Sequence, residues 1–205
     1  NDTAGVYDKN GNIKIPFEYD AIYDTYYNNF DPEKNRYIVV REGKVGTIDI
    51  HNNAIIPVIY DSLSGWVEYG PDAHFVKNNG KFGLISYNGK IIIPIEYDFV
   101  GIPHNDLTMV RQNGKYGVLT MKNKIILPCI YDKLIMDIPY WDFEEKREPK
   151  LVILKDNIWC YFDIKGKLIR ENVSEKELID NYKLFLDWGE PSNENGLDMR
   201  QGKGL

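Results

Sequence analysis

The chain has 205 residues, enough to bury a hydrophobic core in one domain or one compact array. Its net charge of −6 argues against nucleic acid as a partner, because contact with phosphate requires a basic surface, and is compatible with a basic protein partner. No apolar run reaches the ~18 residues that a membrane-spanning helix needs.

One spacing of residues recurs four times along the chain. A Gly is followed eleven residues later by Pro, and Tyr-Asp follows three and four residues after that Pro. The copies are Gly5, Pro16, Tyr19 and Asp20; Gly46, Pro57, Tyr60 and Asp61; Gly83, Pro94, Tyr97 and Asp98; and Gly117, Pro128, Tyr131 and Asp132. A fifth copy at 158–169 has Cys160 at the Gly position and Glu171 at the Pro position. Self-similarity at this period indicates a repeat array.

Each copy predicts a β-hairpin. Short runs rich in Ile, Val and Tyr flank a turn, and the turns contain Asn10-Gly11, Asn52-Asn53, Asn88-Gly89, Asn123 and Lys165-Gly166. The Pro cannot donate a ladder hydrogen bond, so it is expected at a strand edge or a bulge. A third strand is predicted after each Tyr-Asp corner, at residues 36–42, 74–79, 107–112 and 150–156.

These strands predict tandem three-stranded β-meanders. The units fall at about 1–42, 43–79, 80–113, 114–156 and 157–171, the last being partial. One meander cannot bury both of its faces, so neighbouring units must stack. The expected fold class is all-β, either a propeller-like disc or an open superhelical array. A unit of about 40 residues suits a propeller blade, although blades usually have four strands.

The C-terminal segment departs from the repeat pattern. Residues 172–190 predict a helix that begins with a capping box at Ser174 and Glu177, ends at Gly189, and places on one face Leu178, Tyr182, Phe185 and Leu186. This helix is expected to cap the open edge of the last unit, with docking to a partner as the alternative. Residues 191–205 are predicted to form a flexible tail.

The repeat resembles the bacterial WG-repeat family. The family pattern runs aromatic-Gly, Gly-Lys and then Pro-x-x-Tyr-Asp, and the similarity covers about residues 4–170. No copy has Trp-Gly, because the aromatic position holds Ala4, Val45, Phe82, Tyr116 and Trp159. The resemblance implies a β-repeat array that serves as an interaction or scaffold module, and it brings no catalytic residues with it.

The recurring Tyr and Asp side chains are interpreted as framework. A Tyr at a strand corner buries its ring, and an Asp there caps backbone N–H groups. This interpretation applies to Tyr19, Tyr60, Tyr97 and Tyr131 and to the Asp that follows each of them.

Catalytic and metal-binding motifs are not found in the sequence. His51, His74 and His104 are far apart and are predicted to lie at the surface, and no HExxH, GxSxG, P-loop or GxGxxG motif occurs. Cys129 and Cys160 are predicted to be half-buried strand thiols, with a single disulfide as the alternative. We expect no enzymatic activity, no metal and no cofactor.

Candidate binding residues lie in the segments where the copies differ in length. These four inserts, residues 23–36, 64–73, 99–106 and 135–149, lie between the Tyr-Asp corner and the third strand, and function in repeat proteins is usually found in such loops. Three of them combine aromatic with acidic side chains. The aromatic residues are Tyr26, Tyr27, Phe30, Trp66, Tyr69, Tyr140, Trp141 and Phe143, and the acidic ones Asp31, Glu68, Asp142, Glu144 and Glu145.

Stacking of the units in register is expected to bring these inserts together along one edge. Tyr and Trp in a polar rim are typical of protein-binding hot spots, so the sequence predicts a non-enzymatic module that binds a protein, with a basic one favoured. Masking of a basic toxin domain by an immunity-type protein is one form of this function. A carbohydrate-binding surface module is the alternative. A third interpretation is that each aromatic side chain folds back and covers the end of its own unit. Cytoplasmic and envelope or secreted locations are not distinguished.

Overall fold

The computed structural model describes residues 3–24, 35–64, 73–138 and 148–187, with side chains in the final helix described as far as Tyr182. The elements in these ranges are β1 (Ala4–Tyr7), β2 (Ile13–Tyr19), β3 (Ala21–Asp24), β4 (Arg36–Arg41), β5 (Lys44–Asp49), β6 (Ala54–Tyr60), β7 (Ser62–Leu63), β8 (Ala73–Asn78), β9 (Lys81–Ser86), β10 (Ile91–Tyr97), β11 (Phe99–Val100), β12 (Leu107–Gln112), β13 (Lys115–Thr120), β14 (Ile125–Tyr131), β15 (Lys133–Asp137), β16 (Lys150–Lys155), β17 (Ile158–Asp163), β18 (Leu168–Arg170) and α1 (Glu175–Asp187).

The strands form five antiparallel sheets in chain order. The first sheet contains β1 and β2, and the second to fifth sheets contain β3–β6, β7–β10, β11–β14 and β15–β18. The predicted all-β repeat array with a C-terminal helix is therefore confirmed. Four of the sheets have four strands instead of three, because a short strand directly after the Tyr-Asp corner pairs with the predicted third strand. Each four-stranded sheet thus begins after one Tyr-Asp corner and takes its last two strands from the next copy of the repeat.

Neighbouring sheets pack face to face within two compact units that divide between Ile91 and Ile92. In one unit, the first and second sheets share a core that contains Ile15, Tyr19, Val39 and Ile48. In the other, the fourth and fifth sheets share a core that includes Leu107, Val118, Leu127, Leu151 and Ile153. One sheet alone would leave these apolar side chains in water, so burial between sheets is what stabilises each unit.

The Gly and the Pro of the repeat meet at a β-bulge, as predicted for the Pro. In the second sheet, Val45 pairs with Tyr60 and Thr47 with Ile56, so the outer strand has extra residues opposite Gly46. A Cβ on Gly46 would lie 2.5 Å from the carbonyl oxygen of Ile56. A Cβ on Gly117 would lie 2.7 Å from the equivalent carbonyl of Leu127. The fixed Gly–Pro spacing therefore records a close backbone approach that a larger residue would prevent.

The Tyr-Asp corners have the predicted framework role. The carboxylate of Asp61 accepts a hydrogen bond from the Asn79 N–H at 2.7 Å. It also forms an ion pair with Lys44, whose Nζ lies 2.6 Å away. Asp132 repeats both contacts, with the Asp156 N–H and with Lys115. The preceding rings are buried, with exposures of 3–8% for Tyr19, Tyr60, Tyr97 and Tyr131. Asp61 and Asp132 thus cap the tight turn that joins the second and third strands of the sheet that begins after each corner.

Helix α1 covers a face of the fifth sheet, which corrects the expected position at the sheet edge. Leu178 and Tyr182 are 1% and 3% exposed and pack with a cluster made of Ile135, Val152 and Tyr161 from three adjacent strands. The helix lies there because this face would otherwise be open to solvent. In the fourth sheet the equivalent side chains Tyr116 and Val118 are covered by the next sheet, and the fifth sheet has no such neighbour within the described ranges.

The start of α1 matches the sequence prediction in part. Ser174 is the N-cap, since its Oγ accepts a hydrogen bond from the Glu177 N–H at 3.2 Å. The Glu177 carboxylate, however, accepts hydrogen bonds from Tyr161 and Arg170, so it joins the helix to the sheet. Phe185, Leu186 and Gly189, which were assigned to the helix face and its end, lie outside the described side chains.

Candidate functional site

All four inserts occupy the same place in their sheets. Each joins the first strand to the second: the first lies between β3 and β4, the second between β7 and β8, the third between β11 and β12, and the fourth between β15 and β16. Because the sheets share one strand order and direction, every insert leaves from the equivalent end of its sheet, here called the insert end.

The predicted binding residues fall outside the described ranges. They belong to residues 25–34, 65–72 and 139–147, and they are Tyr26, Tyr27, Phe30, Trp66, Tyr69, Tyr140, Trp141, Asp142, Phe143, Glu144 and Glu145, with Asp31 and Glu68 beside them. The structure describes the side chains at the base of each insert, where the chain leaves the sheet and returns to it.

The base of the second insert is a buried polar clasp. The Phe75 N–H donates to Ser64 Oγ at 2.8 Å, and the Ser64 N–H donates to the Phe75 carbonyl at 2.9 Å. His74 Nδ1 lies 2.6 Å from the Ser64 carbonyl oxygen, so this nitrogen carries the proton and donates it. At 3% exposure and against the edge of Tyr87, His74 corrects the prediction of a surface histidine. Its side chain is buried because it serves the backbone at the insert base.

The base of the fourth insert is held by charges and by helix α1. Asp137 and Lys150, the residues on either side of the insert, lie opposite one another in the sheet, with 3.7 Å between Asp137 Oδ2 and Lys150 Nζ. Tyr182 of α1 donates a 2.7 Å hydrogen bond to the same carboxylate oxygen. The Lys150 ammonium also lies 5.0 Å from the centre of the Tyr161 ring. Helix α1 and the base of the fourth insert are therefore in direct contact.

The base of the first insert is the pair formed by Asp24 and Tyr37. Burial raises the pKa of the Tyr37 phenol, and a hydrogen bond with Asn35 opposes that rise. The phenol is consequently neutral and acts as a fixed polar group where the chain re-enters the sheet.

The third insert is a closed turn. His104 and Leu107 exchange two backbone hydrogen bonds of 2.7 and 3.0 Å around Asn105 and Asp106, which adopt left-handed φ values of 48° and 65°. Thr108 Oγ1 donates to the Gly101 carbonyl at 2.7 Å and secures the other side. After Phe99, this insert contains no Phe, Tyr or Trp.

Rigid hairpin turns flank the inserts at the same end. The residue that starts each second strand pairs with the residue that starts the turn after the third strand, as Arg36 does with Asp49 and Lys150 with Asp163. Asp49 Oδ1 accepts hydrogen bonds from the His51 and Asn53 N–H groups at 2.9 and 2.8 Å. Burial raises the pKa of Asp49, but a hydrogen bond from the Asn53 side-chain amide together with the two backbone hydrogen bonds lowers the pKa overall. Equivalent contacts are made by Asp8, Ser86, Thr120 and Asp163.

Cys129 and Cys160 are free, half-buried thiols whose pKa values are raised by burial, so the alternative of a disulfide is not realised. In the ranges that the structure describes, no group of three or more His, Cys, Asp or Glu side chains is arranged to hold a metal ion. The one helix there is too short and too polar to cross a bilayer.

The sequence indicates where the inserts lie but not which residues fix their bases. Ser64, His74, Asp137 and Lys150 have no shared motif, because each base is closed by a different pair of side chains. The available signal was weak: a polar His74 between the apolar residues Ala73 and Phe75 at the start of its strand.

Comparison with known proteins agrees with the repeat geometry. The family model described as WG containing repeat matches residues 5–44 and 82–116, which confirms the resemblance seen in the sequence. None of the curated proteins compared matches the chain. Residues 5–44 and 82–116 are thus similar to the WG repeat.

Proposed function

We propose that this protein, parts of which resemble the WG repeat, is a non-enzymatic binding module whose inserts engage a basic protein. The observation that carries the proposal is the shared attachment of the inserts: three aromatic and acidic segments all join the first and second strands of their sheets. A scaffold that holds variable loops at one end of a repeated framework is the usual arrangement of a recognition surface.

The composition of the inserts supports a protein partner of opposite charge. Residues 25–34, 65–72 and 139–147 contain eight aromatic side chains among 27 residues, whereas the whole chain is 13% aromatic. The same segments contain seven carboxylates and three basic side chains, so a net −4 of the chain's −6 lies there. Aromatic anchors within a charged rim favour affinity from the rings and partner selection from the charges.

The insert bases support binding with a small ordering cost. The Ser64–His74 clasp and the Asp137–Lys150–Tyr182 contacts fix both ends of their inserts. A loop whose ends are held by buried hydrogen bonds loses less conformational freedom on binding than a free segment does.

The proposal is tested by capture of partners from lysate and culture medium of the native host, followed by measurement of the dissociation constant for each recovered protein. The wild type is compared with Trp66→Ala/Trp141→Ala and with Ile102→Ala. Ile102 is 60% exposed in the third insert, so its replacement is a matched control for loss of an exposed apolar side chain. We expect the double variant to bind about thirtyfold more weakly or worse, and the control to bind like the wild type.

Ionic strength separates the proposed partner class from the alternative. Binding to a basic protein weakens as salt rises, because exposed charges are screened. Equal binding by the double variant and the wild type would exclude the inserts as the site. Binding to a glycan that survives high salt, and that the tryptophan replacements abolish, would overturn the protein partner in favour of carbohydrate recognition.

A further inference from the structure

In the described ranges the first sheet has two strands, whereas every other sheet has four. By the repeat spacing, β1 corresponds to β5 and β13, each of which pairs with a strand on both sides. Strand β1 pairs with β2 alone in the described part of the chain. Its other edge therefore presents backbone N–H and C=O groups that, in the second and fourth sheets, are paired with a second strand.

The side chains of β1 also indicate that a neighbouring strand is missing from its other edge in the described part of the chain. Val6 is half-buried, but its counterparts Thr47 and Val118 are 2% and 0% exposed. Those counterparts lie opposite Ile38 and Met109 on the adjacent second strands. What Val6 lacks is an apolar side chain from a strand at the β1 edge.

The C-terminal residues carry a shortened version of such a strand. Residues 197–205 read LDMRQGKGL, and the fourth sheet reads LTMVRQNGKYGVL at residues 107–119. The order Leu, Met, Arg-Gln, Gly-Lys, Gly, Leu is common to both, with four residues fewer in the tail. In the longer segment, Leu107–Gln112 forms β12 and pairs with β13, the counterpart of β1.

We propose that residues Leu197–Gln201 dock as an antiparallel strand on the open edge of β1 in the same molecule, with Met199 opposite Val6 as Met109 is opposite Val118. Alternation places Leu197 and Met199 on the face that packs against the second sheet, and Asp198 and Arg200 on the opposite face. That opposite face suits polar side chains, because Tyr7 there is 57% exposed.

Docking within one molecule is favoured over exchange between copies. A covalently tethered strand has an effective concentration on the order of millimolar at its own edge, which a second copy at ordinary protein concentrations does not match. The sequence-based expectation of a flexible tail is replaced, in this proposal, by a strand that completes the first sheet.

Disulfide trapping in the full chain tests the register directly. In a Cys129→Ser/Cys160→Ser background, Val6→Cys/Met199→Cys is compared with Ile59→Cys/Met199→Cys, since Ile59 is a 53% exposed position on β6. We expect a cross-linked monomer from the Val6 pair and none from the Ile59 pair. No cross-link, or equal cross-linking in both, overturns the proposal. A cross-linked dimer alone also overturns it, because the occupant is then a second copy.

Hydrogen exchange provides a second measurement without cysteines. Met199→Asp removes the apolar side chain assigned to Val6, and Lys203→Asp is a control outside the proposed strand. We expect amides in residues 3–8 to exchange faster in Met199→Asp than in the wild type, and at the wild-type rate in the control. Unchanged protection in Met199→Asp would contradict docking of the tail.

Discussion

The first and fifth sheets show two different ends of a repeat array. Each has a face that a neighbouring sheet would cover at an internal position. In the fifth sheet that face is covered by α1, and Leu178 is 1% exposed. In the first sheet, Tyr7 and Phe17 are 57% and 43% exposed, and their rings contact only each other at 5.2 Å among the ring pairs described. The repeat therefore supplies internal packing, and each end requires its own solution.

The largest expected effect comes from breaking the capped end. Leu178→Asp places a charge among Ile135, Val152 and Tyr161, and it is expected to lower the free energy of unfolding by more than about 4 kcal/mol. Ile179→Asp, at a neighbouring site that is 44% exposed, should change it by less than about 1 kcal/mol. Urea titration measures both. Similar losses for the two variants would mean that α1 does not seal the sheet.

The next largest effect on the unfolding free energy is expected at a repeat position that is buried in the second sheet and exposed in the first. Ile48 and Tyr7 are equivalent, with exposures of 1% and 57%. Ile48→Ala should cost about 2–5 kcal/mol of unfolding free energy, because it leaves a cavity in the core between two sheets. Tyr7→Ala should cost less than about 1 kcal/mol. A large loss from Tyr7→Ala, measured by the same titration, would show that the outer face of the first sheet is covered in solution.

A smaller effect distinguishes the complete repeats from the fifth copy. Gly117→Ala adds a Cβ 2.7 Å from the Leu127 carbonyl and should cost about 1–3 kcal/mol. Cys160 occupies the same position in the fifth sheet, where Glu171 stands at the Pro position and a side chain is already accommodated, so Cys160→Ala should cost less than about 1 kcal/mol. Thermal unfolding of the two variants measures the difference, and equal costs would contradict the role assigned to the bulge.

The smallest effect is the pH dependence of the capped end. Hydrogen bonds from Arg170 and Tyr161 lower the pKa of Glu177 below its usual value of 4.5. A carboxylate with a lowered folded-state pKa stabilises the fold above its unfolded pKa, and this contribution is lost as pH falls through the folded value. Unfolding measured between neutral pH and acid should thus show a shallower acid slope in Glu177→Gln. An unchanged slope would mean that this contact does not couple the helix to the sheet.

Much of the framework was predictable because the same structurally required residues recur in four copies of the repeat. The Gly and Pro positions report the bulge, the Asp positions report the turn caps, and Ser174 reports the start of the helix. Short strands were missed, since β7 and β11 have two residues each, too few for any periodic pattern. The strand predicted third in each meander is the second strand of its sheet, and its pairing with the next copy of the repeat was also missed. The order of strands along the chain gives no information about where one sheet ends and the next begins.

The candidate site was predictable only as a location. Differences in length between copies identified the inserts, and the structure places all of them between equivalent strands. The buried role of His74 was not predictable, because it depends on the carbonyl of Ser64, ten residues away across an insert. Three-dimensional contacts of this kind leave no repeated signal in the sequence.

In the proposed function, the repeated framework and the inserts that it holds have separate roles. The most direct measurement replaces residues 25–34, 65–72 and 139–147 together by the six residues of the closed third turn, 101–106, and then compares stability and partner capture with the wild type. We expect an unfolding free energy within about 2 kcal/mol of the wild type and complete loss of the captured partner. A folded variant that still captures the partner would contradict the proposed site, and a variant that no longer folds would show that the inserts belong to the framework.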